Sequence, residues 1–208
     1  MENKYWLYLS DIVPKNLSHD CTTEFKLLAL NNHVSEKNIE SKYSNLNQPL
    51  FLFLSNPENL IYKYFKTEIK GIKFTPNLFK LKEIAEKIIK EKHGIVVNFD
   101  SAFINMYKSG KDYIPPHKDK THGLEYPIAS FSFYENEENT KKEDLRILNI
   151  IPDDLKGNSK EHIIEMEHGS LLIMNVGMQK YFKHYVPVTK TDKFRINVTL
   201  RVHSTIND

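Results

Sequence analysis

The residues best suited to chemistry stand at His117-Lys118-Asp119. Side chains of an extended strand repeat every second residue, so this imidazole and this carboxylate would share a face. Together they offer two ligands to one metal ion. A histidine from elsewhere would complete two imidazoles and a carboxylate, the set that leaves one face of a non-haem Fe(II) ion open. The same set could hold zinc for a hydrolysis. A plainer picture is a surface loop after Pro115-Pro116 with both side chains in water. With nine histidines in 208 residues, the tripeptide alone does not choose between them.

Two downstream stretches do. His184 stands in the aromatic-rich run YFKHYV at 181–186. Eleven residues after it begins RINVTLR, residues 195–201. Arg195, Asn197, Thr199 and Arg201 alternate with Ile196, Val198 and Leu200, which gives a strand one polar and one aliphatic face. The aliphatic face can pack under a helix layer while the polar face lines an interior. Two arginines in a dry interior require a negative partner. A dicarboxylate supplies it, because guanidinium forks grip carboxylates in pairs of hydrogen bonds. An edge strand with its arginines in water competes with this picture, but it gives no reason for the His strand and the His-x-Asp upstream.

These residues need a scaffold, and the pattern around them is strand-rich. Short apolar or alternating runs at 95–99, 103–107, 128–134, 145–151, 163–166, 170–176, 181–186 and 194–202 are separated by turn residues. Eight strands in succession without a helix predict a barrel or double-sheet jelly roll. The charged run ENEENTKKED at 135–144 is a solvated hairpin tip. Before them, Thr75-Pro76 opens a helix, with Thr75 as N-cap and Pro76 at the first helical position. Leu78, Leu81, Ile84, Ala85, Ile88 and Ile89 recur at helical spacing, and Gly94 closes the helix in the left-handed conformation. Further upstream, 5–9, 50–54 and 61–65 predict strands. Thr22 or Thr23 is the expected cap of a helix through Leu30 with Phe25, Leu28 and Ala29 buried. Residues 31–48 are polar and loop-like. Phe53, Tyr62 and Tyr64 are either core packing or an aromatic platform for a planar ligand such as a base.

Composition excludes little. The net charge of +2 neither demands nor forbids a polyanionic partner. Cys21 is the only cysteine, so intramolecular disulfides and multi-Cys zinc sites are excluded. No apolar run has the length of a signal peptide or a membrane span. The expectation is an intracellular soluble protein, cytoplasmic or nuclear, with a monomer as the default.

Taken together, the chain resembles the AlkB family of Fe(II)- and 2-oxoglutarate-dependent dioxygenases, closest to the branch that repairs alkylated DNA bases. The resemblance runs from about residue 75 to 201. It rests on NMY at 105–107, GKD at 110–112, HKD at 117–119, PIASFSF at 127–133, HGSLLIM at 168–174, Gln179, His184, and the Arg-x-Asn-x-Thr-x-Arg pattern at 195–201. It implies a mainly β fold with flanking helices. The core, residues 95–208, would be a double-stranded β-helix (jelly roll). Residues 1–94 would be an N-terminal α/β extension forming a nucleotide-recognition lid and scaffold helix, in one structural unit with the core. It implies that His117, Asp119 and His184 hold Fe(II) as the catalytic centre. Arg195 would pair with the distal carboxylate of 2-oxoglutarate, helped by Asn105 and Tyr107. Asn197 and Arg201 would line the same pocket, with Thr199 in support.

The implied reaction consumes dioxygen and 2-oxoglutarate and gives succinate and carbon dioxide. It hydroxylates an N-methyl carbon on a damaged base, which then leaves as formaldehyde. The implied partner is alkylated DNA, with RNA as the alternative and no membrane. Phe53, Tyr62 and Tyr64 would stack on the flipped base. Lys108, Lys111, Lys118 and Lys120 either contact phosphate near the site or only solubilise the surface. Thr121 stands where the family usually has an acidic residue that reads the base edge; its hydroxyl carries no charge. Tyr134 replaces a glycine the family often has. These departures leave a hydroxylase of protein side chains or another small substrate as the second reading. A non-catalytic module would usually have lost a ligand or an arginine, and a zinc hydrolase would not need Arg195 and Arg201 in its pocket.

Overall fold

The helix at Thr75-Pro76 forms as its sequence requires. The computed structural model describes residues 2–32, 47–64, 67–119, 125–153 and 160–203, and α2 spans Pro76–His93. The Thr75 side chain accepts the Leu78 N–H, and Gly94 sits at φ 67° with its N–H on the Lys90 carbonyl. Leu78, Leu81, Ala85 and Ile89 are buried on one side. The first helix, α1, spans Lys15–Asn32 and starts a full seven residues before the expected Thr22. Thr22 does not cap it: its hydroxyl donates to the Ser18 carbonyl one turn back, at 2.7 Å. Thr22 lies about two turns inside the helix, away from the unpaired N–H groups of its first turn. Phe25 and Ala29 are buried as expected, with Leu17 and Cys21 from the unforeseen first turns.

The strands, in chain order, are β1 (Glu2–Asn3), β2 (Trp6–Leu9), β3 (Leu50–Ser55), β4 (Ile61–Tyr64), β5 (Thr67–Lys70), β6 (Ile72–Lys73), β7 (Ser101–Tyr107), β8 (Ile114–His117), β9 (Ile128–Tyr134), β10 (Ile147–Pro152), β11 (His162–Glu165), β12 (Ser170–Met174), β13 (Phe182–Val186) and β14 (Arg195–Arg201). A one-turn helix, α3 (Met178–Tyr181), stands between β12 and β13, where an unbroken strand series was expected. The larger sheet has the order β1-β2-β12-β9-β14-β7-β3-β6, and the smaller has β11-β10-β13-β8. The two sheets face each other as a jelly roll, mainly β with helices laid outside. β4 and β5 form a separate two-stranded ribbon.

The larger sheet is buried on both faces. Ile196, Val198, Leu200, Phe131, Phe133, Leu171 and Ile173 pack outward with residues of α1 and α2. Inward, Trp6, Ile128, Leu172 and Met174 meet Leu148, Ile150, Ile164 and Val186 of the smaller sheet. The aliphatic half of RINVTLR therefore lies under the helices, and the polar half faces the space between the sheets.

Residues 95–99 do not form the expected strand. Val97 and Phe99 are buried in the helix-side core, but the Phe99 N–H donates to Glu86 on α2 at 2.8 Å. The apolar alternation is real, and its hydrogen bonding goes to a helix instead of a ladder. The charged tip at 135–144 holds two 3-10 turns, Glu137–Asn139 and Lys142–Asp144. The polar stretch 31–48 opens with the last turn of α1, and 33–46 lies outside the described residues. No described helix is long and apolar enough to cross a membrane.

One close approach fixes the loop after β7. Gly110 exchanges backbone hydrogen bonds with the 189–191 segment, N–H to the Thr191 carbonyl at 2.7 Å and carbonyl to the Thr189 N–H at 2.8 Å. A Cβ at Gly110 would stand 2.4 Å from the Thr189 oxygen. Gly110→Ala must therefore separate the two segments. The expected loss is about 1–3 kcal/mol, as for other overpacked sites, read as a lower urea midpoint with an unchanged m-value.

Candidate metal and dicarboxylate site

β8 is the edge of the smaller sheet, which is where a strand can carry Pro115 and Pro116 without breaking a ladder. It ends at His117, and Asp119 follows just beyond it. β13 pairs with β8 so that His184 stands directly opposite His117, with ring centroids 4.3 Å apart. One ligand atom from each of His117, Asp119 and His184 lies within 4.8 Å of the others. His117 Nε2 is 3.8 Å from Asp119 Oδ1, and His184 Nε2 is 3.8 Å from Asp119 Oδ2.

Their protonation suits metal binding. His117 Nδ1 lies 2.9 Å from the Pro115 carbonyl. A proton on Nδ1 donates there, which leaves the Nε2 lone pair facing the Asp119 side. Burial, together with the His117 charge, pushes His184 down to about 3, so its imidazole is neutral. Burial also pushes the Asp119 carboxyl up, but Arg201, His184 and His117 outweigh it and hold the group below the ordinary carboxylate range. Arg201 donates to Asp119 Oδ1 at 2.7 Å, and its guanidinium lies 4.9 Å from the Phe103 ring centre.

A pH dependence follows for the metal-free protein. His184 binds its proton near 6.5 as a free group but only near 3 when folded. Between these values the unfolded chain holds the extra proton, so stability falls as pH drops below about 6.5. Asp119, depressed in the folded state, adds loss in the same direction once pH falls through about 4. Thermal melts of wild type and His184→Leu between about pH 7 and pH 5 check this. The variant should show the shallower acid dependence.

The backbone of Asp119 is also held. Its N–H donates to Gln179 Oε1 at 3.0 Å. Gln179 belongs to α3 and is 4% exposed. The sequence marked Gln179 as part of a pattern but gave it no task; the structure makes it the residue that positions the carboxylate loop. Gln179→Ala would bury an unpaired N–H, at about 1–3 kcal/mol, and let the loop shift. Metal affinity, measured against a chelator, is expected to fall about 10–100-fold.

β14 supplies the polar wall. It lies between β7 and β9, with Arg195 paired to Tyr107, Asn197 to Asn105, and Arg201 to Ser101 on one side. Arg195 is 2% exposed. Its Nε donates to Ser132 Oγ at 2.8 Å, and its guanidinium carbon lies 5.0 Å from the Tyr107 ring centre. Asn197 donates to Ser130 Oγ at 2.7 Å and to the Phe131 carbonyl at 2.8 Å, and Thr199 donates to Asn197 Oδ1 at 3.0 Å. Thr199 thus fixes the amide of Asn197. Burial pushes the Tyr107 phenol up against the pull of Arg195 and Arg146.

Arg146 gave no signal in the sequence, standing singly in the alternating run DLRILNI. It is fully buried and donates to the carbonyls of Ser109, Asp112 and Pro187 at 2.7, 2.6 and 2.9 Å. Its guanidinium lies 5.1 Å from the Tyr107 ring centre. Arg146 ties together the loop after β7, the start of β10 and the end of β13.

The donor set fits both groups that the sequence pattern calls for. Four buried atoms at the site carry no hydrogen bond: Asp119 Oδ2, His184 Nδ1, Arg195 Nη1 and Arg201 Nε. A carboxylate oxygen without a donor suits a cation. A guanidinium N–H without an acceptor suits an anion, and no described carboxylate pairs with Arg195.

The substrate-side candidates fare differently. Phe53 is 1% exposed and enclosed by Tyr62, Phe103 and His203, with centroids 5.5, 5.1 and 5.6 Å away. Its ring supports neighbours and is not free to stack on a ligand. Tyr62 is half-buried and meets Phe103 edge-on at 4.6 Å. Tyr64 ends β4, and its side chain and Thr121 lie outside the described residues. Lys118 is engaged by Asp153 at 2.6 Å and by the Lys180 carbonyl at 3.0 Å.

Residues 16–201 match the sequence model of the 2OG-Fe(II) oxygenase superfamily. The DNA oxidative demethylase ALKBH2 of Arabidopsis thaliana is 34% identical over 136 residues, 59% of this chain and 43% of that protein. The Bos taurus ALKBH2 is 31% identical over 113 residues, 50% of this chain and 37% of that protein. The chain thus spans about two fifths of the length of these relatives. Among solved structures, OsALKBH1 superposes with a TM-score of 0.64 at 16% identity, covering 97% of this chain and 99% of that one. A Pseudomonas putida prolyl-4-hydroxylase gives 0.61 at 12% identity, covering 97% and 95%. At these identities the two structures speak for the fold.

Proposed function

We propose, because this chain belongs to the 2OG-Fe(II) oxygenase superfamily, that it oxidatively demethylates N-alkylated bases in DNA. The observation that carries the enzyme reading is the gathering of His117, Asp119 and His184 beside a buried arginine with an unfilled N–H. The choice of DNA rests on the likeness to proteins named DNA oxidative demethylase ALKBH2.

His117, Asp119 and His184 hold Fe(II) in this reading. Arg195 takes the distal carboxylate of 2-oxoglutarate, with Tyr107 and Asn105 beside it. Asn197, held by Thr199, and Arg201 shape the rest of that pocket. Fe(II), 2-oxoglutarate and dioxygen together supply the oxidation that hydroxylates the N-alkyl carbon, with release of succinate and carbon dioxide. The hydroxylated carbon then leaves the base as formaldehyde.

The chain's own residues do the positioning. Arg201 keeps Asp119 ionised and aimed at the two imidazoles. Gln179 fixes the backbone from which that carboxylate hangs. Arg195, braced by Ser132 and the Tyr107 ring, gives the cosubstrate one orientation. The β4–β5 ribbon is the lid, with Tyr62 as the base-stacking ring and Phe53 packed as its support. A duplex base must leave the stack to reach such a site, so an unpaired one is the easier substrate.

Mass spectrometry of N-methylated single-stranded DNA, duplex DNA and RNA, each incubated with Fe(II), 2-oxoglutarate and air, tests the proposal. Loss of one methylene from the DNA, absent with His117→Ala, is expected. Loss from RNA alone would move the substrate to RNA. No loss from any of them would leave an oxygenase of protein or small-molecule substrates.

A further inference from the structure

Lysines flank the three proposed metal ligands in the chain, and the two among the described residues point the other way. Lys118 stands between His117 and Asp119, and Lys183 precedes His184. Alternation turns the ligands into the space between the sheets and the lysines onto the outer rim. There the two ammonium groups converge on one carboxylate. Lys118 Nζ is 2.6 Å from Asp153 Oδ2, and Lys183 Nζ is 3.2 Å from Asp153 Oδ1. Lys118 also donates to the Lys180 carbonyl at 3.0 Å.

All three side chains are partly open to solvent, 30% for Lys118, 42% for Lys183 and 41% for Asp153. Among the described residues, two cations face one anion here. Lys180 on α3, whose carbonyl accepts from Lys118, holds its ammonium over the ring of Tyr181, which is 47% exposed. Glu161, which precedes β11 of the smaller sheet, is engaged by Tyr185 and Asn149.

A single oxygen pair held by two ammonium groups is also the pattern a phosphodiester accepts. Its location matters more. A base inserted toward His117 and His184 would leave its own backbone outside, and these lysines are chain neighbours of those ligands. An exposed ion pair is weak enough to be exchanged, and a phosphate brings the same geometry. We propose that Lys118 and Lys183 form a phosphate-binding site beside the metal centre, and that Asp153 fills it until a nucleic-acid backbone displaces the carboxylate. The inference rests on the nucleic-acid reading and adds to it a contact and a built-in competitor. The competitor holds both lysines in place before binding and weakens contact with any strand that does not also deliver a base.

The test is the affinity of unmodified single-stranded oligonucleotide at low salt, by fluorescence anisotropy, across a salt series. Asp153→Asn should tighten binding roughly threefold to tenfold, because one competing charge is gone. Asp192→Asn, the same charge change on the loop before β14, should change it less than about twofold. Lys118→Ala and Lys183→Ala should each weaken binding and lower the salt slope by about one. In the Lys118→Ala/Lys183→Ala background, Asp153→Asn should no longer help. Equal gains from Asp153→Asn and Asp192→Asn, or a gain that survives loss of both lysines, would overturn the site. Wild-type protein that demethylates DNA without these effects sinks the phosphate site alone. Wild-type protein that neither binds nor demethylates any oligonucleotide sinks both readings.

Discussion

Asp119→Ala is expected to remove activity by on the order of 10³-fold or more, since loss of a residue that merely supports a ligand already costs 10–100-fold. It should also lower the stability of the metal-free protein. Arg201 pairs with this carboxylate at 2.7 Å, and the two side chains are 16% and 4% exposed. Truncating one partner of such a pair strands the other, at about 3 kcal/mol. Asp119→Asn separates the two effects. Its amide oxygen can still accept from Arg201, so most of the stability returns, while the charge and the second ligand oxygen are gone. Metal affinity against a chelator and thermal melts of the metal-free variants measure each effect. If Asp119→Asn bound metal as tightly as wild type, the carboxylate would not be a ligand.

Arg195→Met is expected to act in the opposite sense on stability. The guanidinium is 2% exposed, and its Nη1 carries no hydrogen bond. An apolar side chain of similar length relieves that buried charge, so the variant without cosubstrate should be as stable as wild type, or up to about 2 kcal/mol more stable. Binding of 2-oxoglutarate should fall about 10²–10³-fold, the usual consequence of losing one partner of a desolvated charge pair. Metal affinity should stay within about twofold, because Arg195 touches none of the three ligands. A saturating amount of 2-oxoglutarate should raise the melting temperature of metal-loaded wild type and leave Arg195→Met unmoved. Calorimetry with and without cosubstrate reads both halves. A destabilised variant that still bound 2-oxoglutarate would place Arg195 among structural residues.

The two substitutions differ in sign because the site holds one charge pair already made and one waiting. Asp119 and Arg201 satisfy each other within the chain. Arg195 has Ser132 and an aromatic ring but no anion. A protein of this size is only marginally stable, so an unneutralised buried guanidinium is a cost that a bound anion would relieve.

Periodicity made much of this legible. The two-residue repeat of RINVTLR separates four polar from three aliphatic groups, and the structure puts the aliphatic three under the helices. The Thr75-Pro76 start and the Gly94 stop of α2 are local signals, complete within a turn of chain, and they hold to the residue. His117 and His184 were recognisable as types, but their pairing across β8 and β13 is a register that no single strand encodes. Thr22 misled because, inside a helix, a Ser/Thr hydroxyl can also be satisfied by the carbonyl one turn back. Residues 95–99 misled because alternating burial does not say whether the backbone bonds to a strand or to Glu86. Arg146 and the Gln179 contact were invisible, since each acts on segments distant in sequence, through carbonyls and an N–H that carry no residue identity. Asp153 belongs with them: nothing local links it to Lys118 and Lys183.

The measurement that reaches furthest is the coupling of succinate to formaldehyde on N-methylated single-stranded DNA, with unmethylated DNA of the same sequence and His117→Ala as the references. Equal yields of the two products on methylated DNA, little succinate on the unmethylated strand, and neither product from His117→Ala are expected if one iron and 2-oxoglutarate centre acts on alkylated bases. Succinate at one slow rate regardless of the oligonucleotide, with no formaldehyde, would contradict it and leave the oxygenase without its nucleic-acid substrate.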